Sequence, residues 1–218
     1  MISLRTVAKR IGWRRHFFHG RLWLDRVPDR VLGIETAVPI PQSALGWGPE
    51  RGNWYEASPW RTLASVLPRS KVSANDVFID FGCGKGRILL QAARYPFRKV
   101  IGVELSPEVA EVARRNVARV HRHLVCGEIE VVTADVAEFA IPDDLTVAFC
   151  FNPATGQVFK RLLANLSESL AQHPRDFQLI YHNPEMESAL QEEGWREVRR
   201  ISLRRTDCPC DMTVYRRD

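Results

Sequence analysis

From Val77 onward, short apolar runs alternate with stretches whose apolar residues recur at helical spacing. Strands and helices that alternate in this way form parallel sheets, because each helix carries the chain back to the start of the next strand. The pattern predicts parallel strands at Val77–Phe81, Lys99–Leu105, Glu128–Thr133, Leu145–Phe151 and Phe177–His182. It predicts helices at about Trp60–Leu67, Gly86–Arg94, Pro107–Leu124, Gly156–Ala171 and Pro184–Glu193. The chain therefore belongs to the α/β class.

The two ends of the chain depart from this alternation. Trp195–Leu203 and Met212–Arg216 read as two strands joined by a turn, which predicts an antiparallel hairpin at the C-terminus. Residues before about Ser70 show no strand pattern and hold five of the six tryptophans, and the apolar spacing from Leu4 to Leu22 predicts a helix. We therefore expect a cap or lid at residues 1–70 and a catalytic domain at residues 71–218.

Charge and cysteine usage narrow the function classes. The net charge of +5 lies in the leading arm, since Met1–Arg26 has seven Lys/Arg against one acid. The remaining residues are close to neutral, so nucleic acid is not expected as a partner. No run of about 18 apolar residues occurs, which predicts a cytoplasmic protein without a membrane span. Five cysteines without a C-x-x-C pair and six scattered histidines predict reduced thiols and no metal.

A glycine-rich loop follows the first predicted strand, with Asp80 at its start and glycines at Gly82, Gly84 and Gly86. A dinucleotide-binding loop would need its third glycine where Arg87 stands, and a P-loop would need G-K-[ST]. The pattern D-x-G-x-G-x-G instead resembles the first motif of class I S-adenosylmethionine-dependent methyltransferases. The resemblance implies a Rossmann-like seven-stranded sheet and S-adenosylmethionine as the cofactor, with Asp80 and the three glycines in its site.

Two acids follow the next two predicted strands. Glu104 ends the second strand and Asp135 follows the third. In the superfamily that this sequence resembles, such acids bind the ribose hydroxyls and the adenine amine, which implies cofactor-binding roles for Glu104 with Leu105 and for Asp135 with Val136. Chemistry supports these roles, because a ligand with a sulfonium, an ammonium and two hydroxyls needs carboxylates.

A second resemblance is narrower. Tyr55-Glu56-Ala57-Ser58-Pro59-Trp60, F-G-C-G-K-G-R and V-I-G-V-E-L-S-P look like a group of small bacterial methyltransferases, distantly similar to Dot1-like and ATP-synthase c-subunit lysine methyltransferases. This resemblance covers about Gly33 to Pro184. It implies that Tyr55, Glu56 and Ser58 lie against the methionine end of the cofactor, although a loop that only caps the sheet is the alternative.

Candidate acceptor-side residues follow the fourth and fifth strands. Asn152-Pro153 stands where amino-methyltransferases carry N/D-P-P-[YF], although Ala154 and Thr155 replace the second proline and the aromatic ring. Asn152 is therefore expected both at the cofactor and as a catalytic group that orients an amine. His182 is a candidate base. A plain Asn-Pro turn and a structural histidine are the alternatives.

These features predict a methyltransferase that acts on a nitrogen acceptor, with an oxygen acceptor as the alternative. The tryptophan-rich cap favours a small molecule, such as a peptide-derived or other secondary metabolite. A protein lysine is the alternative acceptor, and a non-catalytic cofactor-binding subunit is the alternative function. A homo- or hetero-oligomer is compatible with an enzyme and with a cofactor-binding subunit. For the basic arm, a substrate lid is preferred over a nucleic-acid or membrane tether, because its apolar residues must be buried.

Overall fold

The computed structural model describes residues 26–41, 55–205 and 208–217. Within them, seven strands form a single sheet. Along the chain these strands are β1 (Val77–Phe81), β2 (Lys99–Glu104), β3 (Glu128–Thr133), β4 (Val147–Cys150), β5 (Gln178–His182), β6 (Arg196–Arg205) and β7 (Cys208–Arg216). Their spatial order is β3-β2-β1-β4-β5-β7-β6.

The sheet is parallel except at one edge. Strands β1 to β5 pair in parallel, whereas β7 lies antiparallel between β5 and β6. The Rossmann-like sheet with its C-terminal antiparallel hairpin is therefore confirmed. Strand β7 begins at Cys208 rather than at Met212, so the hairpin is longer than the sequence predicts.

Helices cover both faces of the sheet. They are α1, described at residues 26–32, α2 (Thr62–Val66), α3 (Arg87–Ala92), α4 (Pro107–Val120), α5 (Gly156–Gln172) and α6 (Glu187–Glu192). Short 3-10 turns stand at Arg69–Lys71 and His121–His123. Helix α4 begins where the sequence predicts, because the Ser106 hydroxyl accepts a hydrogen bond from Val109 N at 3.2 Å and Pro107 occupies the first turn.

Alternating residues of the central strands divide the core into two layers. Val77, Ile79 and Phe81 of β1 pack with α5 and α6 on one face. Phe78 packs on the other face with α2 and α3. All five residues of β1 are buried. This burial on both faces is typical of a central parallel strand and holds the strand ends rigidly.

Predictions for the N-terminal part are only partly covered. The helix expected from Leu4 to Leu22 and most of the loop expected from Pro39 to Pro59 lie outside the described residues. The division at residue 70 stays a prediction. None of the described helices is long and apolar enough to cross a membrane.

Candidate functional site

A pocket opens at the carboxyl ends of β1, β2 and β4. Strand order reverses at β1, and open α/β sheets bind their ligands beside such a reversal. The predicted site residues on the pocket wall are Tyr55, Glu56, Ser58, Asp80, Gly82, Gly84, Glu104, Leu105, Asp135, Val136 and Asn152. The predicted site residues Gly86 and His182 do not line the pocket.

The glycine-rich loop is folded back onto β2. The amides of Gly82 and Cys83 both donate to Val103 O, at 2.9 and 3.0 Å. Gly84 has φ +54°, and a Cβ there would stand 2.2 Å from Cε2 of Tyr55. Only glycine fits that position, because the Tyr55 ring lies directly against the loop backbone. Gly86 serves helix packing instead, since its Cβ would meet Ala113 of α4 at 3.3 Å.

Glu104 is held by the backbone of the two loops that border the pocket. Its Oε2 accepts from Gly84 N and its Oε1 from Ser106 N, both at 2.9 Å. Burial raises the pKa of this carboxyl, although these amides act in the opposite direction. Each oxygen keeps a second lone pair for a ligand hydroxyl. The side chain is therefore fixed in place and still able to accept.

Asp80 differs from Glu104 because it has no such support. It lines the pocket at 3% exposure, and among residues 26–41, 55–205 and 208–217 no hydrogen bond reaches its carboxylate. Burial and the neighbouring Glu104 raise its pKa well above the usual range. A buried carboxyl without a donor is costly in its ionised form, and a cationic ligand would compensate for that cost.

Asp135 and Val136 border the pocket beyond β3. Asp135 Oδ1 accepts from Ala137 N at 2.9 Å, which fixes its orientation in a turn. Val136 is buried and packs with the core layer that contains Phe81 and Val103. An apolar wall with a neighbouring fixed carboxylate suits a flat ring that carries an amine.

Asn152 lies at the end of β4 in a left-handed backbone conformation, with φ +45°. Its Oδ1 accepts the hydroxyl of Tyr181 at 2.7 Å, and the residue is 7% exposed. Left-handed geometry at a non-glycine residue is uncommon and often marks functional sites. The Tyr181 contact fixes the amide, so one lone pair of Oδ1 remains for a donor in the pocket.

His182 lies behind Ser58 rather than on the pocket wall. Its Nδ1 is 3.0 Å from Ser58 Oγ, and its ring packs on Phe151 with centroids 4.2 Å apart. At 2% exposure the imidazole is buried. A role in catalysis would therefore act through the Ser58 hydroxyl.

The sequence did not single out the cations of the glycine-rich loop or their partners. Lys85 bonds to Glu35 and donates to Val38 O at 3.1 Å, and Arg87 donates to Thr36 Oγ1 at 2.7 Å. One signal was available, because Arg87 occupies the position of a dinucleotide loop's third glycine. Cys83 lines the pocket, and burial and the nearby carboxylates raise the pKa of its thiol well above the usual range, which disfavours the nucleophilic thiolate.

The site fits S-adenosylmethionine on its donor chemistry. Asp80 suits a cationic group, Glu104 suits a pair of hydroxyls and the Asp135–Val136 wall suits the base. The fold and the donor chemistry of the pocket agree with the cofactor site expected of a class I methyltransferase.

Comparisons with known proteins agree with this class. Residues 78–173 match a family described as methyltransferase domain. A protein-lysine N-methyltransferase of Saccharolobus islandicus is 31% identical over 117 residues, which cover 53% of this chain and 64% of the relative. A ribosomal protein L11 methyltransferase of Hamiltonella defensa is 38% identical over 123 residues, which cover 52% and 37%. The chain thus spans less than two thirds of these relatives.

Solved structures show the same fold. An RNA methyltransferase from Salinibacter ruber in complex with S-adenosyl-L-homocysteine has a TM-score of 0.56 at 24% identity, covering 72% of this chain and 91% of that one. Magnesium protoporphyrin IX methyltransferase from Synechocystis with bound S-adenosylmethionine has a TM-score of 0.56 at 16% identity, covering 73% and 79%.

These findings support the class I S-adenosylmethionine-dependent methyltransferase superfamily for this chain, with the match to the methyltransferase domain at residues 78–173. The predicted superfamily and the predicted cofactor are confirmed at this level. The roles of the individual site residues stay predictions.

Proposed function

We propose that this protein transfers a methyl group from S-adenosylmethionine to an amine nitrogen. The observation that carries the proposal is the pair of buried carboxylates, Asp80 and Glu104, on the wall of a pocket closed beneath by the glycine-rich loop. When bound, the cofactor supplies a methyl on its sulfonium, so that the acceptor lone pair bonds to carbon while the C–S electrons stay on sulfur and one amine proton leaves.

The cofactor-binding roles follow from what each side chain can accept. Asp80 takes the ammonium, because no hydrogen bond from the described residues reaches its carboxylate. Glu104 takes the ribose hydroxyls, since its oxygens are already aligned by Gly84 N and Ser106 N. Tyr55 covers the loop at Gly84 and closes the methionine end against water.

The acceptor-side role belongs to Asn152. Its amide oxygen can accept a hydrogen bond from an amine while Tyr181 holds the amide still, and this alignment favours attack along one line. His182, linked to Ser58 at 3.0 Å, can receive the proton that the amine loses. Methyl transfer depends mainly on alignment and water exclusion, so Asn152 is the more important of the two.

The acceptor class rests on separate observations. A small-molecule amine is the acceptor that the tryptophan-rich cap favours. In the one described tryptophan of that region, Trp60, the ring lies under the Arg87 guanidinium, whose carbon is 5.1 Å from the ring centroid. That contact gives Trp60 an anchoring role. A lysine side chain is the second candidate, supported by the protein-lysine N-methyltransferase relative.

The test is methyl transfer from labelled S-adenosylmethionine into a cell extract that has been separated into small-molecule and protein fractions. Label in the small-molecule fraction supports the first acceptor class, and N-methyl-lysine in hydrolysed protein supports the second. Label on oxygen or carbon contradicts the amine acceptor. Tight binding of S-adenosylhomocysteine without transfer to either fraction contradicts the enzymatic role and favours a cofactor-binding subunit.

A further inference from the structure

The chain before the catalytic domain forms a compact strap over the glycine-rich loop. We use the name strap for residues 26–41. Asp29 is buried at 5% exposure, and its carboxylate accepts from Thr36 N, Ala37 N and Thr36 Oγ1, at 2.5, 2.7 and 2.8 Å. These bonds close the strap into a turn with a fixed shape.

Arg87 joins this strap to the glycine-rich loop. Its Nε donates to Thr36 Oγ1 at 2.7 Å, and its Nη2 is 3.6 Å from Asp29 Oδ1. Its Nη1 donates to Ser58 O at 3.3 Å. Arg87 is only 2% exposed, and a buried guanidinium is stable only when such partners are held in place. A cation at the first residue of α3 is also unfavourable for the helix, so helix stability does not explain the residue.

The strap in turn holds the residue that covers the loop. Thr36 O accepts the hydroxyl of Tyr55 at 2.7 Å, and the Tyr55 ring lies against Gly84. A continuous set of contacts therefore runs from Arg87 through Thr36 to Tyr55. A second, shorter set runs from Arg87 directly to Ser58. Both sets end on the wall of the pocket.

We propose that Arg87 is a positioning residue that anchors the strap and thereby holds Tyr55 and Ser58 at the methionine end of the cofactor site. This inference rests on the proposed function, because the ligand that it concerns is the cofactor. Arg87 also borders the pocket, but its guanidinium bonds to Thr36 and to Ser58 O, so the proposed effect of its removal acts through these neighbours.

One consequence distinguishes positioning from general stability. If the strap and the pocket are coupled, a ligand that contacts Tyr55 must also reduce opening of the strap, since linkage is reciprocal. S-adenosylhomocysteine should therefore slow amide exchange in residues 29–41 of the full chain as well as in residues 55–58. In a variant that lacks Arg87, S-adenosylhomocysteine should no longer slow amide exchange in residues 29–41.

The experiment measures S-adenosylhomocysteine affinity and amide hydrogen exchange in wild type and in three variants. Thr36→Val removes the hydroxyl that Arg87 and Asp29 share, and should weaken binding about 2- to 10-fold, the range of one net hydrogen bond. Arg87→Met removes all anchoring bonds and should weaken binding by about 10-fold or more. Both should speed exchange at residues 55–58 in the free protein.

The matched control is Arg175→Met. Arg175 donates to Leu145 O at 2.6 Å and to Ser169 Oγ at 2.9 Å, at the amino end of β4, the opposite end from the pocket. Its loss should lower stability and leave affinity within about twofold. Equal weakening in Arg175→Met and Arg87→Met overturns the proposal, as does wild-type affinity in Thr36→Val and Arg87→Met. If Arg87→Met does not fold, Thr36→Val decides alone.

Failure of the proposed function gives a different result. Wild-type protein that does not bind S-adenosylhomocysteine refutes the cofactor site itself. Wild-type protein that binds, with Thr36→Val and Arg87→Met equally tight and no strap protection, refutes only the role of Arg87.

Discussion

Gly84→Ala tests whether the contact between the glycine-rich loop and Tyr55 shapes the cofactor site. A Cβ at this position stands 2.2 Å from Cε2 and 2.5 Å from Cδ2 of the ring, whereas carbon atoms in ordinary contact are about 3.5 to 4.0 Å apart. The ring must therefore move by more than about 1 Å. It cannot do so freely, because its hydroxyl is bonded to Thr36 O at 2.7 Å.

Two costs add in this variant, and the chain provides a control for one of them. Left-handed geometry costs a non-glycine residue about 1–2 kcal/mol, and overpacking costs about 1–3 kcal/mol more. Gly156 has the same φ of +54° but no atom within 4 Å of a built Cβ. Gly156→Ala therefore carries the backbone cost alone, and the difference between the two variants isolates the contact with Tyr55.

We expect chemical denaturation to show Gly84→Ala as about 1–3 kcal/mol less stable than Gly156→Ala. Calorimetry should show about a tenfold or larger loss of S-adenosylhomocysteine affinity in Gly84→Ala, about 1.4 kcal/mol, and little change in Gly156→Ala. When Tyr55 is already replaced by Ala, Gly84→Ala should lower the free energy of unfolding only by the cost of the left-handed backbone conformation. Equal stability and equal affinity of the two single variants would refute the reasoning.

Four further predictions concern the site and the arm. Glu104→Gln should lower S-adenosylhomocysteine affinity about tenfold, because a charged hydrogen bond is worth about 1.5–3 kcal/mol, and calorimetry with an unchanged dissociation constant would count against the ribose role. Asn152→Ala should lower the single-turnover rate while cofactor affinity stays, and equal losses would mark the residue as structural. The pKa of Asp80 is raised in the free protein, so binding of the cationic ligand should release the Asp80 proton, and affinity should rise as pH rises through that pKa. Calorimetry in buffers of different ionisation enthalpy should find less proton release in Asp80→Asn. Deletion of residues 1–24 should abolish turnover but not S-adenosylhomocysteine binding, and a truncated protein that stays active but no longer binds anionic vesicles or nucleic acid would identify a tether.

The strands could be predicted because runs of apolar residues in the local sequence indicate which segments are buried. Val77–Phe81 is an apolar run interrupted only by Asp80, and the structure buries all of it. The start of β7 could not be predicted in this way, since Cys208-Pro209-Cys210 has the composition of a turn and its pairing depends on β6. Local pattern thus predicts which segments are strands better than it predicts where an edge hairpin ends.

The wall of the pocket was predictable and its support was not. Asp80 and Glu104 stand at strand ends, so parallel topology brings them to one edge whatever else the chain does. The contact between Arg87 and Thr36 joins residues 51 positions apart, and that between Asn116 and Glu35 joins residues 81 positions apart. No local periodicity encodes such pairs. From sequence alone, an arginine in a glycine-rich loop is interpreted as a surface cation, because its partners are distant in the chain.

These supporting contacts also explain the sign of charge that the site prefers. In a P-loop the lysine of a glycine-rich loop binds phosphate, but here Lys85 is bonded to Glu35 and Arg87 to Thr36 beside Asp29. The carboxylates of Asp80 and Glu104 remain on the pocket wall. At an effective dielectric constant of 20, two like charges 4 Å apart repel by about 4 kcal/mol, so a pyrophosphate beside these carboxylates is disfavoured. A ligand with an ammonium and a sulfonium meets the opposite interaction. The strap engages both cations of the loop, although Arg87 also borders the pocket, and under the proposed function the acids on the pocket wall favour a cationic cofactor over an anionic one.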